Sequence, residues 1–580
     1  MPTTYLEFLS PHSSLLNLFK LNPPQRTTRL WLGLSLAFAV LYGYLFWRKA
    51  FEVPYSLQED ARQHVFWMQR WLDPALLPND LIADYFQSLA PTGYKALYAT
   101  AAAFGIHPFL FSKLLPPVLG IVATLYGFYA CLRLLPVPMA AFISTLLLNQ
   151  SMWMWRDLGS GTPRAFAIPL LLAFLYYFSK RSLWPCVAVV VLAGGFYPHL
   201  VLISVTMLWL RLLQWRSGPR LSRCRQDWWQ AVSGLIAGIL VLLPFVLLPS
   251  PYGPVVTAAQ AQTMPEFLAG GRQPFFDSQG LDYWLGGKSG LFPVLNPVAI
   301  YAGFLLPLLL WRRRWLLLQA AKLAPLGQLA AASLLWFLAA HRVLFRLHAP
   351  NRYTHYSVRI LLAMAAAIAL VSWLEMAARS LQRGIPQLWQ RLFSTLMAAL
   401  LLGSLMLYPA SLHRFLDVLY IKSDRGALYA FLAQQPKDTL VASLSREADN
   451  IATFAGRSVL VSREHAIAYH QGYYQQIRQR TLDLIRAQYS PELSELQQVT
   501  QRYGIDYWLV ESGAFQPEAI EQNRWLRQFQ PEAKPAIAIL ASGQQPALAR
   551  FMPTCTVFRD GNLALVEAAC LLQATDSADG

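Results

Sequence analysis

The sequence predicts a polytopic α-helical membrane protein that ends in a water-soluble α/β domain. Two observations carry the membrane part. Of the 580 residues, 55% are hydrophobic and 14% charged, and the mean hydropathy is +0.34. Water-soluble domains carry about 25% charged residues, so lipid must solvate part of this apolar surface. The apolar residues also fall in runs comparable with the roughly 20 helical residues that cross a hydrocarbon core. The soluble part rests on a third observation: from His413 onward the composition turns polar, and short β-like runs alternate with helical ones.

Eleven spans follow in chain order, at residues 30–47, 109–132, 137–149, 164–178, 182–195, 198–213, 229–248, 291–311, 326–345, 357–377 and 394–412. The short ones read as kinked or half-buried helices shielded by neighbours rather than by lipid. The first run has no small-residue cleavage site after it and ends in Tyr-Leu-Phe-Trp, so it reads as a retained signal anchor. Basic residues concentrate in cytoplasmic loops. Here they cluster at Lys20/Arg26/Arg29, Arg133, Lys180/Arg181, Arg211/Arg216/Arg220/Arg223/Arg225, Arg312/Arg313/Arg314/Lys322 and Arg379/Arg383/Arg391. With these spans, every cluster falls on the side of the N-terminus. The apolar segment 92–106 would break that parity by crossing, so it is placed as an interfacial helix on the outer surface.

The expected organisation is a cytoplasmic segment 1–29, a transmembrane domain 30–412, an extracytoplasmic α/β domain 413–572 and a disordered tail 573–580, in the plasma (inner) membrane. The net charge of +17 then serves topology and contact with anionic inner-leaflet lipid. Arginines scattered over separate short loops do not build a nucleic-acid surface.

Three outer loops remain. Residues 48–108 carry Glu52, Glu59, Asp60, Asp73, Asp80 and Asp84; residues 150–163 carry Trp153, Trp155, Arg156 and Asp157; residues 249–290 are rich in Gly, Pro and aromatics. Connectors of such length usually have a function or are disordered. In the outer domain, residues 439–443 (TLVAS), 458–462 (SVLVS) and 505–511 (IDYWLVE) read as strands, the last two separated by a charged helix over 473–503. Residues 556–567 read as a hairpin turning at Asp560-Gly561. Cys555 and Cys570 both lie in this domain, but the hairpin register does not set them opposite each other; Cys131, Cys186 and Cys224 have no metal-ligand spacing. No phosphate-binding Gly-Lys-Ser/Thr loop and no nucleophile-elbow serine occurs.

The chemistry candidates start with Glu59 and Asp60, adjacent acids ahead of an aromatic amphipathic stretch (Val65, Phe66, Met68, Trp71, Leu72). They suit a general-base or metal-ligand pair, and equally the acidic start of a helix. Asp157 stands between Arg156 and Arg164, either of which can neutralise it. His199 sits at the tip where two short spans meet. The last outer turn, RLHAPNRYTHYSVR, packs Arg346, His348, Arg352, His355 and Arg359 between two spans, against the topology bias. Guanidinium forks suit phosphate oxygens, whether of an outer-leaflet headgroup or of a bound ligand.

The order of these features resembles the GT-C glycosyltransferases, a superfamily that includes oligosaccharyltransferases, protein mannosyltransferases and aminoarabinose transferases. The resemblance lies in the Glu59-Asp60 pair after span one, the stretch PTGYKALYATAAAFGIHPFLFSKLLPPVLG into span two, an acidic second outer loop, the hairpin FYPH and an outer domain with YGIDYWLVE. It implies transfer of a sugar from a polyprenyl-phosphate-linked donor to a glycan, lipid or protein acceptor at the outer face, with inversion. Asp60 would be the catalytic carboxylate with Glu59 beside it, and Asp157 the second-loop acid. Arg352, His355, Tyr353, His199, Arg62 and His64 would hold the lipid phosphate, a role given by chemistry and position. A divalent cation, magnesium or manganese, would sit on Asp60 and Asp157, although the second loop offers one Asp rather than an Asp-rich pair. The oligosaccharyltransferase signature WWDYG is missing, which favours a monosaccharide transferase. A lipid-linked-sugar flippase and a non-catalytic assembly protein stand as alternatives; no internal repeat supports the first.

Overall fold

The computed structural model describes residues 24–575 apart from segments 216–218, 277–279, 293–296, 313–319 and 383–387 and positions 414 and 417. Most of the N-terminal segment, Arg216, Arg313, Arg314, Arg383 and the tail from 576 therefore lie outside the described residues. The chain is a mostly helical membrane protein. Among the described residues five helices are long and apolar enough to cross a bilayer: Gln25–Ala50, Pro108–Leu134, Arg225–Leu247, Ala321–Arg342 and Pro350–Met376. The exposed Ile236, Leu240, Leu243 and Leu247 along one of them are apolar surface that water would not tolerate as a stripe.

Leu388–Leu407 has 20 residues, and the other apolar runs are shorter than a crossing, for which packing gives the reason. Pro138–Trp153 has 16 residues, all buried, and packs on Gln25–Ala50, Pro108–Leu134 and His355–Gln382. Ala167–Lys180, Leu183–Phe196 and His199–Leu210 have 14, 14 and 12 residues. The run 291–311 covers a 3-10 stretch, Val298–Leu305, followed by the short helix Leu306–Arg312. Helices that neighbours cover need not reach across lipid alone. Gly43 permits one close approach: a Cβ there would lie 2.9 Å from the Cβ of Pro117, which with Pro116 lies inside the helix Pro108–Leu134. The segment 92–106 is helical over Thr92–Ala103 and packs on Leu183–Phe196.

The two basic loops at 180–181 and 211–225 meet at one end of the helices. Arg181 Nε lies 3.1 Å from Asp227 Oδ1, and Arg211 Nη1 donates to Gln230 Oε1 at 3.1 Å. The acidic loops gather at the opposite end of Leu183–Phe196, beside Tyr197.

The C-terminal part carries a five-stranded sheet, with β1 at Leu440–Ala442, β2 at Ser458–Val459, β3 at Tyr507–Glu511, β4 at Thr556–Asp560 and β5 at Leu563–Glu567. The spatial order is β2-β1-β3-β5-β4, parallel across β2, β1 and β3 and antiparallel from β3 to β4. The expected hairpin turns at Gly561, whose φ of 58° is left-handed. One expectation is corrected, and one pairing left open is found formed. The charged helix over 473–503 is two helices, Gln471–Tyr489 and Leu493–Tyr503, because Pro491 lacks the N–H that a continuous helix needs. Cys555 and Cys570 are joined, with Cα atoms 5.5 Å apart. Strand register does not bring them together; Cys555 ends the helix before β4, and Cys570 lies in the helical turn Ala568–Gln573 after β5. That turn includes Gln573, and Gln497 Nε2 caps the carbonyls of Leu571 and Ala574, so ordered structure runs past the expected start of the tail.

Candidate functional site

The short helix Glu59–His64 starts where Gln58 turns extended and its side chain accepts from the N–H of Ala61 at 3.1 Å. That cap uses a neutral amide, which leaves both acids free of capping duty, and they diverge. Glu59 faces outward and pairs with Arg156 at 3.4 Å. Burial first, then the charges of Glu464 and Asp60, raises its carboxyl above the usual range against Arg156 and Arg62. Asp60 faces inward, and its Oδ2 accepts from Arg164 Nη1 at 3.1 Å.

Arg164 connects the two outer loops, because the same Nη1 lies 4.0 Å from Asp157 Oδ1. On its other oxygen, Asp157 accepts from His355 Nε2 at 3.0 Å. Burial pushes the Asp157 carboxyl up, but the His355 hydrogen bond and the charges of His355, Arg164 and Arg352 outweigh it and hold the group well below the usual carboxylate range. Trp155 stacks edge-on to His355, with ring centroids 4.7 Å apart, and lies 3.9 Å under the buried guanidinium of Arg359. A narrow cavity opens among Trp155, Asp157, Arg164, Ile168, Tyr356 and Arg359.

A second group adjoins it. The ring of His199 lies 5.4 Å from His348 and 5.8 Å from Tyr353. Tyr197 meets Tyr356 edge-on at 5.5 Å. Polar atoms here that are buried with no hydrogen-bond partner among the described residues include His199 Nδ1, Asn351 Oδ1 and Arg352 Nε, with the hydroxyls of Tyr197 and Tyr356. Such atoms cost free energy when unpaired, and together they mark a place suited to a polar ligand. His64 lies within the field of both groups: burial takes it down to about 4, with Asp60 opposing and Arg164 and Arg352 adding. His348 is held well below its usual value by burial, then by His199, Arg352 and Arg164.

Asp60, Asp157, His355, His64, His199, Tyr353 and Arg352 are thus brought into one neighbourhood. The Tyr353 hydroxyl is committed to the carbonyl of Leu347 at 3.0 Å, so its ring alone faces His199. Arg62 is not brought in. It is buried and turns to the C-terminal region, donating to Asn450 Oδ1 at 2.7 Å and lying 3.9 Å from Glu464. Glu464 is also held by Arg272 of the third loop at 3.2 Å. Gln63 donates to the Glu464 carbonyl at 2.7 Å, and the Glu464 N–H donates to Asp449 at 2.8 Å. Tyr469 of the C-terminal region reaches His348 with ring centroids 5.3 Å apart.

The residues do not fit a divalent cation. The Arg164 guanidinium occupies the approach to both candidate ligands, and His355 takes the second oxygen of Asp157. Among the described residues no group of three or more His, Cys, Asp or Glu is placed to hold a metal ion.

Comparison with protein families and with curated proteins found no match. Comparison with solved structures found GT-C glycosyltransferases. The Archaeoglobus fulgidus oligosaccharyltransferase tethered to an acceptor peptide aligns over 87% of this chain and 72% of its own, at 13% identity and a TM-score of 0.50. The same organism's AglB, in complex with an inhibitory peptide and a dolichol-phosphate, aligns over the same shares at 12% identity and a TM-score of 0.50. ArnT from Cupriavidus metallidurans bound to undecaprenyl phosphate covers 93% of this chain and 99% of its own, at 13% identity and a TM-score of 0.47.

Proposed function

We propose that a chain with the fold of the GT-C glycosyltransferases is itself one, moving a sugar from a polyprenyl-phosphate-linked donor to an acceptor at the extracytoplasmic face of the inner membrane. The observation that carries this reading is the meeting of Asp60, Arg164, Asp157 and His355 beside the unpartnered Arg352, Asn351 and His199 atoms. A carboxylate beside a surplus of buried guanidinium suits a hydroxyl acceptor on one side and a phosphate leaving group on the other. The dolichol-phosphate in the AglB complex supports a lipid phosphate as the group recognised.

In this reading Asp60 takes the acceptor hydroxyl proton, the new bond forms at the anomeric carbon, and the bond to the phosphate oxygen breaks with its electron pair. The configuration inverts, and the phosphate departs toward Arg352. Arg164 holds Asp60 in place through its 3.1 Å hydrogen bond, and the His355-Asp157 pair fixes Arg164 from behind. The sugar is a monosaccharide, because the outer domain lacks the WWDYG signature of oligosaccharyltransferases. The helices thread the bilayer eleven times, with residues 1–29 cytoplasmic and 413–572 outside as an α/β domain.

The test is transfer by the purified full-length chain in lipid nanodiscs, given a radiolabelled polyprenyl-phosphate sugar and an envelope extract as acceptor source. Asp60→Asn should lower transfer at least 100-fold, in the range that loss of a general base produces, while donor binding and thermal midpoint hold. Undiminished transfer by that variant would remove Asp60 from the mechanism. Donor translocation without sugar transfer would favour a flippase.

A further inference from the structure

We infer that Arg164 stands in place of a divalent cation, so that sugar transfer by this chain runs on a permanent guanidinium and without a metal. The inference rests on the glycosyltransferase reading above, and it concerns how charge is supplied at that site. Three observations converge on it.

The first is position. A metal shared by Asp60 and Asp157 would lie between their oxygens, and there Arg164 Nη1 sits, 3.1 Å from Asp60 Oδ2 and 4.0 Å from Asp157 Oδ1. The second is saturation. Asp157 Oδ2 is already engaged by His355 at 3.0 Å, and the 3-10 turn Pro163–Phe166 fixes Arg164 at the start of Ala167–Lys180. The third is charge. Asp60 and Asp157 face Arg164, Arg352 and Arg359, which leaves one positive charge in excess in a site where Arg359 is 2% exposed. That excess matches a phosphate. Adding a divalent cation would bring the excess to three positive charges away from water, where uncompensated charge is costly. Exchanging the cation for the guanidinium also changes the electrostatics: arginine cannot be deprotonated or chelated away at any working pH.

The experiment has one arm that needs activity and one that does not. In nanodiscs, transfer by the wild-type chain should stay within twofold after EDTA treatment and after addition of Mn²⁺ or Mg²⁺. A tenfold loss with EDTA that Mn²⁺ restores would overturn the inference. Independently of any transfer assay, Mn²⁺ is titrated onto the protein by electron paramagnetic resonance. The wild-type chain should show no stoichiometric site at 100 µM Mn²⁺, on the order of a micromolar-to-millimolar affinity scale. Arg164→Met should create one by uncovering two carboxylates, and the double variant Arg164→Met/Asp157→Asn should lose it again. A stoichiometric Mn²⁺ site in the wild-type chain that Asp157→Asn abolishes would overturn the inference. Arg164→Lys, which keeps the charge, repeats the titration where the Met variant fails to fold and should bind no Mn²⁺; binding there would also count against it. Should no transfer be found with any donor, the glycosyltransferase reading fails while the Mn²⁺ arm still decides the role of Arg164.

Discussion

Asp449 shows how single residues here carry charge that folding alone would not choose. It is buried beside Glu464, and burial first, then that like charge, lifts its carboxyl to about 6, with Arg62, the Glu464 N–H and Arg272 opposing. A carboxyl raised in the folded state binds its proton more tightly folded than unfolded, so stability falls as pH rises from about 4 to about 6 and is flat above. Asp449→Asn keeps the acceptor for the Glu464 N–H and removes that slope. Its thermal midpoint should gain on the wild type steadily from pH 4 to pH 6, and a constant difference across that range would contradict the assignment. At the same scale, the sequence showed Asp60, Asp157, Arg352 and His355 because acidic or basic residues are conspicuous in outer loops. It showed Arg164 merely as a neutraliser of Asp157, since spacing cannot say that one guanidinium serves two loops. Tyr197 and Tyr356 lay within the segments FYPH and RLHAPNRYTHYSVR without any pattern to single them out, and Tyr469 lies in a stretch far along the chain with no local signal. Arg62 drew attention by its closeness in sequence to Asp60, but successive helix positions point in different directions, and its side chain serves the C-terminal region instead.

Between elements, the decisive contact is the one that holds the helix Glu59–His64 against the C-terminal region. Glu464 receives Arg272 from the third loop at 3.2 Å and Arg62 from the helix at 3.9 Å, and a two-residue bridge is added by Gln63. Short strands reinforce it: Ser56–Gln58, just ahead of the helix, pairs antiparallel with Tyr420–Lys422. Gly159 shows how tightly the second outer loop is applied, since a Cβ there would lie 2.7 Å from Val418. The pair is half-buried, and Glu464 keeps Arg62 when Arg272 is lost. Arg272→Met and Glu464→Leu should each destabilise the chain by about 1–2 kcal/mol, and the double variant should cost little more than either one. Additive losses in that double-mutant cycle would show that the two side chains act independently. None of this contact was legible beforehand, because its members come from residues 62–63, 272 and 449–464 and no periodicity links them. The strands were legible, since β1, β2, β3 and the hairpin each announce themselves by β-branched runs and a Gly at the turn. The helix break at Pro491 is masked in the sequence by a charged pattern that runs on across it.

At the scale of the whole chain, composition and apolar run length identified a helical membrane protein, and order of motifs along the chain pointed to the fold shared with AglB. Length alone served less well for the individual spans: among the described residues five helices have the reach of a bilayer, whereas Pro138–Trp153 is apolar because all 16 of its residues are buried within the bundle. Apolarity reports exclusion from water and does not distinguish lipid from protein. The arrangement places a carboxylate-guanidinium site where loops 48–108 and 150–163, the helix ends and the C-terminal region meet. The central claim is that this site holds the phosphate of a polyprenyl donor. It is tested most directly by a cryo-EM structure of the full-length Asp60→Asn chain in nanodiscs with an intact polyprenyl-phosphate sugar. The account predicts the phosphate oxygens within hydrogen-bond distance of Arg352 and the sugar between Arg352 and residue 60. A phosphate bound elsewhere on the chain, with Arg352 Nε still unpartnered, would contradict it.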